Sequence, residues 1–373
     1  MEVKKYKMKD IVTFLNGRAY LMPELQEKGK YRILRVGNLS GGNDSWFYSD
    51  MELDENKYCK KGDLLYAWAC SFGPHIWKEE KVIFHYHIWK LIENKDRVDK
   101  IYLYYYLLHQ TPFYLGGVNG ATMVHITKQN MEKKTVYIPS SLPIQQKIAS
   151  ILSTYDTLIE NNNRRIRLLE QMAENLYKEW FVRFRFPGHE KLENGLPKEW
   201  DIKPLKTLCE FRKGKNITAS EMCKGTYPVI SAGLSPSGFH NKSNVHGVSV
   251  TMSSSGANAG YISIHYDDIW AADCSYISEE QTEEIFYVYE VLNNIRQVIN
   301  NYQMGAAQPH VYPKDINRIK TCIPPKELRI KANSILAKFH KEIDKLAQQN
   351  TLLTRQRDLL LPRLMSGKLE VKP

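Results

Sequence analysis

The side chains in this sequence that most resemble catalytic equipment are Asp63 and the run Glu79-Glu80-Lys81. A carboxylate combined with an E-x-K triplet is what a metal-dependent nuclease uses to hold a divalent cation and activate water. The stretch that parallels Lys61-Gly62-Asp63 later in the chain is His246-Gly247-Val248, which carries no carboxylate, so the set is not repeated. His85 and His87 are spaced to share one face of a strand, and with no Asp or Cys ligand set beside them a structural or nucleic-acid-facing role outweighs a metal site. The six cysteines (Cys59, Cys70, Cys209, Cys223, Cys274 and Cys322) form no C-x-x-C pair, which argues against a zinc knuckle or a disulfide framework. No catalytic or metal site is expected. The loop SSSGANAG at 253–260 suggests binding instead: its small hydroxyls and glycines allow close backbone approach, and Asn258 is of the type that pairs with adenine.

These residues sit in a duplicated framework. GATMVHITKQNMEKKTVYIPSSLPIQQKIASIL at 120–152 parallels GAAQPHVYPKDINRIKTCIPPKELRIKANSIL at 305–336, with Gly120 matching Gly305 and His125 matching His310. LLYAWACSFG parallels SVTMSSSGANAG, and IVTFLNG at 11–17 parallels LCEFRKG at 208–214. Each copy reads as short strands rich in Val, Ile, Tyr and Trp, broken by Gly and Asn turns, with an inserted helix at 98–110 or 284–301. The expected fold is α+β, with two similar domains at 1–144 and 187–325. The intervening segments, 145–186 and 326–373, read as long helices.

Residues 145–182 run without Pro or Gly, and the matching run covers 328–361. The first offers Leu152, Ile159, Asn162, Ile166, Leu169 and Leu176 as an apolar seam; the second offers Leu336, Phe339, Ile343, Leu346, Asn350, Leu353 and Leu360. An antiparallel pairing that sets Asn162 opposite Asn350 brings Ile159 to Leu353, Ile166 to Leu346, Leu169 to Ile343, Ala173 to Phe339 and Leu176 to Leu336. A buried amide pair costs stability but fixes register, because a slip would strand it. The exception in this register is Tyr155 against Arg357, which requires the arginine to snorkel or stack. About 35 helical residues at about 1.5 Å each make a rod of about 50 Å, enough to hold two domains over sites about one duplex turn apart.

The chain is 373 residues long with 43% hydrophobic and 25% charged residues, an ordinary globular composition. No apolar run is long enough to span a bilayer, and MEVKKYKMKD lacks a secretory h-region, which points to a cytoplasmic protein. The net charge is +11, yet residues 187–325 carry 13 basic against 15 acidic groups, so that segment is not built to grip a polyanion by charge alone. The acidic run EEQTEE at 279–284 belongs away from phosphates.

The segment IPSSLPIQQKIASILSTYDTLIENNNRRIRLLEQMAENLYKEWFVRFRFPG at 138–188 and the ending LLLPRLMSGKLEV at 359–371 resemble the specificity subunits of type I restriction-modification systems. The resemblance implies two target-recognition domains, an internal pseudo-twofold repeat, and no catalytic site on this chain. It implies a split double-stranded DNA target, one half per domain, with the helix pair serving as ruler and as docking surface for two modification subunits. Those partners would carry S-adenosylmethionine and methylate adenine, and motor-nuclease restriction subunits would complete the complex; no cofactor is expected on this chain. The sequence agrees in lacking an Asn/Asp-Pro-Pro-aromatic motif and a G-x-x-x-x-G-K-[ST] loop. It departs at SSLPIQQ, where Ile144 stands in place of a glutamate common in the family. Candidate DNA contacts are Arg35, Asn38, Trp68, Ser71, His75, Thr122 and His125 in the first domain, and Lys213, Lys215, Ser253, Ser254, Ser255, Asn258, Gln303, Gln308 and His310 in the second. The rival readings are a stand-alone DNA-binding protein or nuclease, and a coiled-coil scaffold with no DNA role.

Overall fold

The structure is a computed structural model that describes residues 2–39, 45–115, 126–188, 192–193, 196–197, 199–305 and 309–372. Two compact units emerge: residues 1–160 with 350–373, and residues 161–349. The boundary falls within both long helices, so each unit owns one globular domain and part of each helix.

In the first unit, one four-stranded sheet runs in the order Val12–Asn16, Ile88–Glu93, Leu64–Ala67, Gly73–Ile76. A second sheet runs Phe47–Ser49, Tyr31–Leu34, Val82–Phe84, Tyr58–Cys59, with a parallel pairing between its middle strands. The helix Lys100–Leu115 covers the first sheet, and its tyrosines 102, 105 and 106 are buried in the main core with Phe14, Tyr66 and Trp89. The aromatic stripe is therefore core packing. Pro112 lies inside this helix, which runs past the predicted end at 110.

The second unit repeats the plan. Its four-stranded sheet runs Arg212–Lys213, Cys274–Ser278, Ser249–Ser253, Ile262–His265, and its three-stranded sheet runs Gly238–His240, Tyr227–Ile230, Trp270–Ala271, with its last two strands parallel. Each unit also has a two-stranded ribbon leading into a long helix: Val3–Lys7 with Thr135–Pro139, and Asp201–Pro204 with Lys320–Ile323. The helix predicted at 284–301 is broken into Ile285–Asn294 and Arg296–Asn300.

The long helices span Leu142–Tyr177, continued by a π turn at Lys178–Val182, and Lys326–Met365. Pro362 sits in the last turn of the second; a proline there costs one amide donor but keeps helical φ, and the turn closes with Ser366 N–H donating to the Pro362 carbonyl at 3.0 Å. Within each unit the helices run antiparallel. In the first, Asp156 meets Arg357 at 2.5 Å, and Leu152 shares a core with Leu361, Leu364 and Met365. In the second, Asn162 donates to Gln349 at 3.5 Å, Arg165 meets Glu342 at 2.8 Å, and Ala173 packs in one core with Leu336 and Phe339.

Each predicted seam residue is buried or half-buried, including Ile159, Ile166, Leu169, Leu176, Ile343, Leu346, Asn350, Leu353 and Leu360. Two details of the predicted register need correction. The amide partner of Asn162 is Gln349, one residue before Asn350. Arg357 is neutralised by Asp156 and Asp358 rather than stacked on Tyr155, and the Tyr105 hydroxyl also donates to Asp156. A carboxylate one position along the helix is a better partner for a half-buried guanidinium than a ring.

Gln145, at the start of the first long helix, is fully buried. It accepts from Asp99 N–H at 2.8 Å and donates to the carbonyls of Arg97 and Pro139 at 2.9 and 2.8 Å, tying ribbon, helix and domain together. Ile144 beside it packs partly into the core, so the helix start is secured without a glutamate.

Candidate nucleic-acid interface

The two units build the same recognition frame from different side chains. In the first, Gly17 N–H donates to the Ile88 carbonyl, Arg18 N–H to Phe84, His85 N–H to Leu34 and Ile126 N–H to Trp68. The matching bonds in the second run from Gly214 to Cys274, Lys215 to Ala271, Ala272 to Ile230 and Val311 to Ser254. Two loops stand at the tip of each frame: Trp68–Phe72 and the turn His85–His87 in the first unit, Ser254–Gly260 and the turn Ala272–Asp273 in the second. At corresponding tip positions Cys70 has φ 62° and Gly256 has φ 75°. A left-handed backbone is built into this loop, and Cys70 holds it without the freedom of glycine.

In the first unit the tip is aromatic. Tyr66, Trp89 and Trp68 stack in succession from core toward surface, with centroids 5.9 and 5.8 Å apart. Tyr86, 39% exposed, lies edge-on to Trp68 and 3.9 Å from His87, and Trp68 Nε1 donates to the Tyr86 carbonyl at 2.7 Å. His85 and His87 therefore flank a tyrosine in a turn between strands, not on one strand face, with ring centroids 4.8 Å apart. Burial, helped by His87 and Arg35, pushes the His85 imidazole down to about 4, so it is neutral near pH 7. The Arg35 guanidinium lies over the Phe47 ring, 4.7 Å from its centroid.

In the second unit the tip is small and polar. Ser255 Oγ donates to Asp273 Oδ2 at 2.6 Å, and Ser254 is half-buried. Lys213 and Lys215 are exposed, and the Lys215 carbonyl accepts from Trp270 Nε1 at 2.8 Å. His310 pairs through its backbone with Met304 and stacks 6.2 Å from Tyr312.

Several predicted contacts are committed inward. Asn38 accepts from Arg35 N–H at 3.1 Å and donates to the Ser45 carbonyl at 3.0 Å, so its amide shapes a turn. Ser253 is buried and donates to the Ala232 carbonyl, which Asn258 also approaches at 3.5 Å. Gln303 braces the loop through the Ala259 carbonyl at 2.8 Å. His75 is half-buried in the strand Gly73–Ile76, where burial lowers its pKa. Ser71 is exposed at the tip. Thr122, His125 and Gln308 lie outside the described residues. Tyr86 and Asp273, not among the predicted contacts, lie where the repeat keeps its frame and changes its side chains.

The nuclease set does not converge. Asp63 pairs with Lys90 at 2.8 Å, Glu79 with Arg32 at 2.8 Å, and Lys81 with Glu55 at 2.7 Å. Asp63, Glu79 and Lys81 are thus each spent in a separate ion pair. The acidic run at 279–284 serves the second long helix: Glu283 meets Lys326 at 2.8 Å, and the buried Glu284 meets Arg329 at 3.2 Å. Among the described residues, no helix is long and apolar enough to cross a membrane.

Comparison with known proteins agrees with this arrangement. The chain is 26% identical over 311 residues to the type I restriction enzyme MjaIX specificity subunit of Methanocaldococcus jannaschii, covering 74% of this chain and 71% of that protein. It is 24% identical over 278 residues to a putative type I specificity subunit of Mycoplasma genitalium, covering 73% and 72%. The crystal structure of a type I restriction-modification system S subunit from M. genitalium shares the fold, with a TM-score of 0.65 at 18% identity over 97% of this chain and 96% of that one. The profile of one family matches residues 1–171 and 197–355, and the chain belongs to that family, the type I restriction modification DNA specificity domain.

Proposed function

We propose that this chain is the DNA-specificity subunit of a type I restriction-modification system and reads a bipartite duplex target, one half per domain, without catalysing any reaction. The observation that carries this reading is the recognition frame, built twice with the same backbone hydrogen bonds and with different side chains at its tips. A shared frame with divergent tips suits a chain that must recognise two different sequences in the same manner.

In this reading the helix pair spaces the two domains and docks two modification subunits. These supply S-adenosylmethionine and the methyl transfer to adenine; this chain holds no cofactor. Restriction subunits join the same assembly, and the complex works in the cytoplasm. The near-neutral charge of 187–325 makes the modification subunits the source of much of the phosphate clamp.

The test is enrichment from a random-sequence duplex library by the chain assembled with its modification subunits. A motif in two parts with a fixed spacer supports the proposal. Enrichment of nothing, or of a single unbroken motif, contradicts it.

A further inference from the structure

We infer that the turns 85–87 and 272–273 are the elements that make the two half-sites differ, with Tyr86 and Asp273 as their base-reading side chains. This rests on the functional reading above and deepens it.

The two turns occupy the same place in their frames. Each follows the strand that closes the parallel pair of one sheet, and each precedes a central strand of the other. Gly17 and Gly214 pin them from below: a Cβ on either would come within 2.3 or 2.4 Å of the carbonyl oxygen of His85 or Ala272. The first turn is one residue longer, and the extra bond from Tyr86 N–H to the Arg18 carbonyl at 2.9 Å fixes that residue at the apex.

Chemistry separates the two. Tyr86 is carried on the ring column of Trp68, Trp89 and Tyr66, whose counterparts in the second unit are Ser254, Ser275 and Met252. An exposed ring on a rigid aromatic base presents apolar surface in a fixed direction, which suits the C5 methyl group of a thymine in the major groove. Asp273 is held by Ser255 through Oδ2, and its carboxylate retains further acceptor capacity. A carboxylate in a groove accepts from the cytosine amino group and is repelled by acceptor edges. The first half-site therefore contains an A·T pair read by Tyr86, and the second a C·G pair read by Asp273.

The experiment repeats the library enrichment with the assembled complex, using Tyr86→Ala, Tyr86→Phe and Asp273→Asn beside the unchanged chain. Asp273→Asn keeps an acceptor for Ser255, and thermal melting checks that each variant is folded. We expect Tyr86→Ala to lower preference at one A·T position by about tenfold in one half of the motif, and Tyr86→Phe to preserve it. Asp273→Asn relaxes one C·G position in the other half by a similar factor. An unchanged motif from folded Tyr86→Ala and Asp273→Asn, or changes by both variants in the same half, overturns the inference and leaves the functional reading standing. Failure of the unchanged complex to enrich a two-part motif overturns that reading, and the inference with it.

Discussion

A Cβ on Gly17 would sit 2.3 Å from the carbonyl oxygen of His85, well inside any real contact distance. The strand end at Gly17 and the turn 85–87 thus touch backbone to backbone, and only glycine lets them close. Gly17→Ala should destabilise the protein by about 1–3 kcal/mol, because the neighbour it strikes is main chain and cannot rotate away. Denaturant midpoints check this, and a Gly17→Ala variant as stable as the parent would contradict the close approach. Gly214→Ala should behave alike, through Ala272.

Cys70 holds a left-handed backbone where the second domain has Gly256. Replacing Cys70 with glycine relieves that conformation, and the variant should gain up to about 1 kcal/mol in spite of the added freedom of its unfolded chain. Chemical denaturation reads the change; a clear loss of stability would show that the thiol side chain contributes more than its backbone costs.

The Asp156 and Arg357 ion pair ties the two long helices together within the first unit, at 2.5 Å with both side chains partly shielded. A double-mutant cycle with Asp156→Asn and Arg357→Met should return a coupling of about 1 kcal/mol or more, above the value usual for exposed pairs. Additive single losses would show that the pair does not hold the helices.

Burial pushes the His265 imidazole down to about 4, while its Nε2 lies 2.8 Å from Thr251 Oγ1. The folded protein binds this proton less readily than the unfolded chain does. The stability tied to the neutral ring is therefore intact above about pH 6.5 and drains away as the pH falls toward 4. At pH 5 the loss should be on the order of 2 kcal/mol, and His265→Gln should remove that share of the pH dependence. Urea midpoints at pH 7 and pH 5 for both proteins decide it; equal shifts would count against the buried neutral ring.

The duplication, the two long helices and the seam were legible because they are periodic: apolar residues at heptad spacing and matched segments such as 120–152 and 305–336 need no geometry to detect. Within that register, the sequence pattern does not tell which polar neighbour an amide chooses, and Asn162 takes Gln349. The DNA-facing tips were less readable. Asn38, Ser253 and Gln303 are residue types that contact bases, yet each also bonds to a backbone group of its own domain, and the fold uses them so. Nothing in the local pattern separates Tyr86, which the turn exposes, from the tyrosines at 102, 105 and 106, which are buried in the core.

In the proposed reading, one chain carries two independent readers of a split target. Modified-base sequencing of DNA from cells expressing this chain with its modification subunits tests it most directly. Methylated adenines are expected only in one motif of two parts with a constant gap, all lost when the chain is omitted. Methylation that persists without the chain, or that follows a single uninterrupted motif, would contradict it.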